Sequence, residues 1–535
     1  MSLCLLLLSL GCTDGEVRDS TASTEPVDSG ETSSWPVHRG LSVLSGPEVK
    51  KPRSRNVGLV RRVALSTDLP CSISFTLEGP TGVREIALDG VSTRHDVPIL
   101  GLRNHAEHTL VLTLTGTDGT VLVLEPIVIE IDEELPEFFP VIDVLVRDLD
   151  RMEPGYRFLN LKRLEENTVM LVVFDEELEP VHWAQGKGWG DVRMSPRGTW
   201  MGVAGGDAME VDLLGETLRR YSGDPRSEDD IEASFSYLHH ELFEEADGTF
   251  WSLDLETVEV PAYPTSYEEP EVLGGPVELR ASSVVHFDGE GAVLDRWPLS
   301  EVLDTTRIGF DSLDETDLGL DWLHANAVVP VPAGEGVIVG TRHQGAAVKL
   351  DGEGQPVWIL SDPHGWGESF EALLLEPVGE SFEWPYHQHG VTVTDDGLIQ
   401  MFDNHNNDCT PYHDKCPRHW RSRVVAFEVD EQAMTVRQVW SFDTTSTGVL
   451  EAPAMGDADT LPTTGNVLAD FGMLTEEEGV RNQEQGFGRS SVRLIEFIPG
   501  DPGETVLDMR IRSDGATDPE GFKSYRSEWV PELYP

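Results

Sequence analysis

Lysine is nearly missing, with seven residues in a chain of 535. Arginine carries almost all of the positive charge, and 39 basic residues stand against 96 acidic ones, for a formal net charge of −57. A surface of that sign repels phosphate backbones and anionic head groups, which excludes nucleic acid and charge-driven membrane binding. The acids are spread along the whole chain, so they read as a solubility adaptation rather than an acidic binding face. Cysteine is scarce as well, with five residues. Long apolar runs are confined to the first eleven residues, and no other stretch is long and apolar enough to span a membrane.

What is present suits many turns and short strands: 51 Gly, 34 Pro and an ordinary 39% of hydrophobic residues. The length exceeds what one core supports, so two or more domains are expected. Residues 1–11 end in Leu8-Ser9-Leu10-Gly11-Cys12 and read as a lipoprotein-type signal peptide, with Cys12 lipidated. This predicts export to the periplasm or cell surface of a bacterial envelope, with membrane attachment only through the lipid. Residues 12–40, rich in Ser, Thr, Asp and Glu, read as a disordered tether.

From 41 to 135 apolar and polar residues alternate in short runs, as in Cys71 to Leu77 and Leu110 to Thr115, which predicts a small β-sandwich. The acidic segment Asp132 to Pro136 reads as a linker. From 140 to 535 one pattern recurs six times: a turn, an apolar strand, further strands and a closing strand. The turns run through Glu165, Gly198, Gly248, Gly336, Gly397 and Gly465, and the closing residues are Trp183, Tyr221, Trp297, Trp358, Trp440 and Met509. The expected fold is all-β, a six-bladed β-propeller preceded by a small N-terminal β-sandwich domain.

Three histidines keep step with this repeat. His240 and His389 each lie eight residues before the turn glycine (Gly248, Gly397), and His324 lies ten before Gly334. Asp457 occupies the corresponding place in the last unit, eight before Gly465. Equal offsets place side chains at equivalent inner ends of successive units, so these groups converge on a central channel. The offset favours His240 over His239 and His389 over His387. Each histidine alone reads equally as a structural ring bonding a loop carbonyl, and three imidazoles can also bind zinc. Arg342 speaks against a metal, since a cation beside imidazoles suits an anion with several oxygens.

Cys409 and Cys416 fit a disulfide in an oxidising compartment. A zinc site with His405, His413 and His419 is the second reading of that pair. Cys71 reads as a buried strand residue, and Cys4 belongs to the signal.

The runs Asp321-Trp-Leu-His-Ala-Asn326, Gly340-Thr-Arg-His-Gln344 and Val357-Trp-Ile-Leu360 resemble the bacterial arylsulfate sulfotransferases. So do Gln388-His-Gly390, Phe402-Asp-Asn404, Ser422 to Phe427 with Val439-Trp440, and Tyr525-Arg526. The resemblance covers most of the repeat region. It implies an enzyme that moves a sulfuryl group from an aryl sulfate to a phenolic acceptor without a nucleotide donor. It further implies that His389 is the nucleophile and is transiently sulfated, and that His240, His324, Asn326 and Arg342 bind the sulfuryl group. Glu241 departs from the family's usual Asp, and the segment from His405 to His419 is distinctive.

The chemistry of these residue types agrees. Neutral imidazole is a nucleophile near neutral pH, His240 or His324 can supply a proton to the leaving phenolate, and Arg342 and Asn326 can stabilise sulfuryl oxygens. Trp322, Trp384, Tyr386 and Phe402 read either as walls for the aryl ring or as strand core. No cofactor and no resident metal is expected; the partners are a small aryl sulfate and a phenol, and a homodimer is compatible. Two other functions fit the sequence: a surface-anchored binding propeller with a degenerate site, and an aryl sulfate hydrolase.

Overall fold

A computed structural model describes residues 40–534, except 164–167, 417–420, 478–479, 483–487, 501 and 515–519. The readings of Cys4, Cys12, the tether up to residue 39, the turn at Glu165 and His419 lie outside the described residues. Leu41–Pro535 forms one compact unit.

The leading segment is one six-stranded, antiparallel sheet: Val43–Lys50, Arg61–Gly79, Gly82–Ile99, Ala106–Gly116, Val121–Val123 and Ile127–Ile131. Its alternation is realised residue by residue. Cys71, Ile73, Phe75 and Leu77 are buried while Ser72, Ser74 and Thr76 are half-exposed, as period-two patterning requires. Cys71 is a free, buried thiol. The acidic linker is pinned in place, with Glu133 accepting from the Leu59 N–H at 2.9 Å and pairing with Arg61 at 2.5 Å. One core joins this sheet to the next two, running from Val63, Phe75 and Leu112 to Phe158, Val169 and Trp200.

Among the described residues, six sheets of four or more strands then succeed one another, with a two-stranded ribbon, Thr444–Thr445 and Gly448–Val449, between the fifth and the sixth. Each of the six apolar strands read after a turn is a strand of the structure: Thr168–Phe174, Trp200–Ala204, Phe250–Val260, Val337–Thr341, Ile399–Asp403 and Val467–Glu477. Thr168–Phe174 is buried along its whole length, the mark of a strand covered on both faces. The closing residues Trp183, Tyr221, Trp297, Trp358, Trp440 and Met509 all fall on the fourth strand of their sheets.

Two strand exchanges tie the ends together. The C-terminal strand Phe522–Val530 pairs with Tyr156–Arg163 and becomes the first strand of the first sheet. Val141–Arg147 pairs with Glu504–Arg512 on the outside of the last. The first strands of the six sheets are Phe522–Val530, Trp189–Met194, Leu238–Glu244, Ala325–Pro330, His389–Val393 and Asp457–Thr460. Each touches the first strand of the next sheet, and the last touches the first, so the six surround a common axis.

Candidate active site

A bulge interrupts five of these six inner strands near the axis. The register slips between Trp189 and Val192, His239 and Leu242, Ala325 and Ala327, His389 and Thr392, and Ser524 and Ser527. A bulge inserts an extra residue and re-aims its side chain. Two histidines at these inner ends hold a left-handed backbone: His240 at φ 61° and His324 at φ 46°. Such conformations cost energy and cluster where function requires them.

The side chains meet in a cavity of about 560 Å³ lined by His240, His324, Arg342, His343, His389 and Tyr525, among others. The ring centroids of His240 and His324 lie 5.0 Å apart, and Tyr525 lies 5.8 Å from His240 and 6.2 Å from His389. The four polar residues expected from the sequence thus share one cavity: His240, His324, Arg342 and His389. Of the remaining readings, Asn326 stands behind the wall, donating from Nδ2 to the Gln388 carbonyl at 2.8 Å, next to His389. Trp322, Tyr386 and Phe402 do not line the cavity. Trp322 and Phe402 are core residues of their sheets, and the Tyr386 hydroxyl donates to Asp362 at 2.7 Å.

His389 is held in a defined tautomer. Its Nδ1–H donates to Asn404 Oδ1 at 2.6 Å. Asn404 cannot turn over, because its Nδ2 donates to the carbonyls of Ala452 and Met455, both at 2.8 Å. That leaves His389 Nε2 as the lone-pair nitrogen, met by the Met455 N–H at 3.3 Å. Burial, then the positive charge of Arg342, holds the imidazole well below its usual titration range, so the ring is neutral at pH 7. His240 is likewise neutral through burial and its histidine neighbours.

His324 is a different case. Its Nδ1 bonds Asp321 Oδ2 at 2.6 Å, an imidazole–carboxylate pair open to the cavity. Burial raises the Asp321 carboxyl, but the hydrogen bond and charge of His324, with Arg280 and Arg342, outweigh it and hold it low. Arg342 is buried and pairs with Asp311 at 3.1 Å. Asp321, His324 and His343 bring ligand atoms within 4.8 Å of one another, so this corner could also hold a metal ion.

Beneath the histidines lies a buried ionic floor; the sequence brought Asp457 to the axis and singled out Glu241 and Arg526, but gave no sign that they pair there. Arg526 bonds Asp191 at 2.5 Å and both Asp457 and Glu241 at 3.3 Å. Arg193 pairs with Glu241 as well. Burial pushes up the carboxyls of Glu241, Asp457, Asp459 and Glu528, and Asp470 reaches about 8. Asn404, Asp321, His239, His343 and Tyr525 complete what was missed. Asn404, Asp321, His343 and Tyr525 stood inside quoted motifs, and His239 gave no signal beyond residue type.

The Cys409–Cys416 pair is a disulfide, which overturns its alternative reading as zinc ligands. His405, assigned to that alternative, is engaged by Asp403 at 2.9 Å and Asp408 at 2.8 Å.

Comparison with known proteins places this architecture. Residues 152–523 match the family described as arylsulfotransferase. The arylsulfate sulfotransferase AssT of Escherichia coli O6:H1 (strain CFT073) is 25% identical over 297 residues, 47% of this chain and 46% of that protein. The same-named protein of Lelliottia amnigena is 24% identical over 300 residues, with the same shares. The match therefore spans about half the length of these curated relatives. Among solved structures, dihydro-heme d1 dehydrogenase NirN aligns at TM-score 0.28 and 10% identity, over 75% of this chain and 78% of that one. Cobalt-substituted Synechocystis apocarotenoid oxygenase gives the same score and identity, over 75% and 97%. Those two likenesses carry no argument, whereas the family match covers most of the described chain: it belongs to the arylsulfotransferase family.

Proposed function

We propose that this chain is an arylsulfate sulfotransferase that works through a sulfated His389, without a nucleotide donor. The observation that carries the reading is the neutral His389 ring, fixed by Asn404, in one cavity with Arg342 and His324. Nε2 attacks the sulfur of the aryl sulfate, and the bond from sulfur to the aryl oxygen breaks. The leaving phenolate takes a proton from Nε2 of His324, whose ring Asp321 orients through Nδ1. Arg342 and the Met455 N–H are the donors for the sulfuryl oxygens. In the second half, His324 removes the acceptor's proton, the phenol oxygen bonds to sulfur, and the bond from sulfur to Nε2 breaks.

The six sheets, with strand exchange at both ends, support the six-bladed propeller over residues 140–535. A β-sandwich over 41–135 and export as a lipoprotein anchored at Cys12 belong to the same proposal. The decisive experiment is exposure to a chromogenic aryl sulfate with intact-mass detection of a sulfated adduct, then addition of a phenol. Sulfated phenol, with no adduct and no turnover in His389→Ala, is the expected result. Normal transfer by that variant would overturn the mechanism, and free sulfate unaffected by added phenol would make the protein a hydrolase.

A further inference from the structure

We propose a divalent transition-metal site, of the kind that takes zinc, formed by Asp362, His364 and His413. It shares no residue with the cavity described above. Three donor atoms from these side chains lie within 4.8 Å of one another. His364 Nδ1 is 2.7 Å from Asp362 Oδ1, and His413 Nε2 is 2.8 Å from Asp362 Oδ2. The two rings sit with centroids 4.1 Å apart. One carboxylate thus holds two imidazoles by opposite oxygens, and a cation that takes the place of the shared protons would be bound at about 2.0–2.2 Å from each group, the paired nitrogens and oxygens spreading slightly to admit it.

The donors are prepared for this. Asp362 is buried and accepts hydrogen bonds from the His364 N–H, the His364 ring, the Tyr386 hydroxyl and His413. Tyr386 is the outer hydrogen bond that orients a metal-binding carboxylate. The His364 side chain is 55% exposed, so a fourth position faces water. Two imidazoles and a carboxylate, without a thiolate, suit zinc and its neighbours rather than calcium or copper(I).

The backbone around the site is closely packed by contacts that lie outside the active site. Arg307 donates to the His364 carbonyl at 3.2 Å and stacks on Trp366 at 4.5 Å. Gly365, at φ 83°, lies against the Tyr412 ring so closely that a Cβ would come within 2.3 Å of it. Those contacts press the 362–366 turn onto the loop closed by Cys409–Cys416, which carries His413. A bound metal would join the two loops. It would also steady Tyr386 and, one residue on, His387, whose Nδ1 lies 3.9 Å from the Asp311 partner of Arg342.

The test uses tag-free, oxidised, full-length protein stripped of metal and titrated with Zn²⁺, then with Co²⁺ followed by its visible absorption. We expect one tight equivalent, retained in His324→Ala and lost in both His364→Ala and His413→Ala. Tyr386→Phe should weaken it about 10- to 100-fold. Zn²⁺ should also slow reduction of the disulfide in the parent and not in His364→Ala. Because His364 is exposed, its variant folds and stays decisive if His413→Ala does not. Absence of saturable binding, binding unchanged in His364→Ala, or loss only in His324→Ala would each overturn the site. None of these readouts depends on sulfuryl transfer.

Discussion

Replacing Asn404 by alanine removes the oxygen that accepts the His389 Nδ1–H at 2.6 Å and frees the ring to carry its proton on either nitrogen. Before attack the ring is neutral; as sulfur bonds to Nε2 it becomes positive. A hydrogen bond to a neutral group is worth about 0.5–1.5 kcal/mol and one to a charged group about 1.5–3 kcal/mol. The transition state therefore loses more than the ground state, by about 1–1.5 kcal/mol, or roughly tenfold in rate. Population of the wrong tautomer adds to this, so the first half-reaction should slow about 10- to 100-fold. Asn404 also satisfies the carbonyls of Ala452 and Met455, so thermal unfolding must show that the variant is folded. The assay is the burst of phenol from a chromogenic aryl sulfate without acceptor, paired with the sulfated-adduct mass. Asn404→Asp keeps an acceptor but adds a negative charge, which favours the imidazolium. In the parent, activity should persist well below the usual imidazole range, because His389 stays neutral there. The aspartate variant should move that acid limb to higher pH. A folded Asn404→Ala with a parental burst rate, or an acid limb that Asn404→Asp leaves in place, would refute the role given to this hydrogen bond.

Reduction of Cys409–Cys416 should loosen the loop that carries His413 and lower turnover without unfolding the sheets; unchanged activity in fully reduced protein counts against it. Asp470 has its carboxyl raised from 3.8 to about 8, so between those values the folded chain keeps a proton that the unfolded chain has lost, and stability falls as pH rises. Asp470→Asn should flatten that fall in denaturant midpoints between about pH 5 and pH 8, and parallel curves would sink the assignment. Raising ionic strength from very low values should increase kcat/KM for an aryl sulfate, because the donor is an anion and the chain carries −57. Screening over about 10 Å at 0.1 M weakens that distant repulsion more than the contacts of Arg342, so a steady decrease with salt would refute it.

The repeat was legible because a turn and an apolar strand recur at each unit, and local patterns of that kind survive in a single sequence. His240, His324 and His389 were legible through their distance from those turns. The ten-residue offset of His324 arises before the turn: Val331, whose N–H closes that turn, lies seven residues after His324, whereas Glu245 and Thr394 lie five after His240 and His389. Arg526 stood in a quoted motif, but its place at the axis was hidden because its strand crosses from the C-terminus into the first sheet, a pairing that no local pattern encodes. Trp322 and Phe402 were ambiguous for another reason. An aromatic residue beside a catalytic motif has the same composition whether it faces the axis or the neighbouring sheet, and one residue of register decides between them.

The bulges explain how one short strand serves two layers of the channel. In a regular strand, neighbouring residues point to opposite faces. Here His240 reaches the cavity while Glu241 bonds Arg526, and Tyr525 reaches the cavity while Arg526 holds the axis. Consecutive residues face the same axis at different depths only because extra residues have been inserted between the ladders, two at His240–Glu241 and one at Tyr525–Arg526. The left-handed backbone at His240 is the cost of that arrangement, and the ionic floor holds the strands that carry it. Arg526 ties together Asp191, Glu241 and Asp457, one from each of three sheets, at the level just below the histidines. Ion pairs buried this deeply gain little net stability, since desolvation consumes most of the attraction. Their effect is instead geometric. A guanidinium hub bonded to all three carboxylates allows the inner strands one mutual position, and the imidazoles carried above it inherit that position.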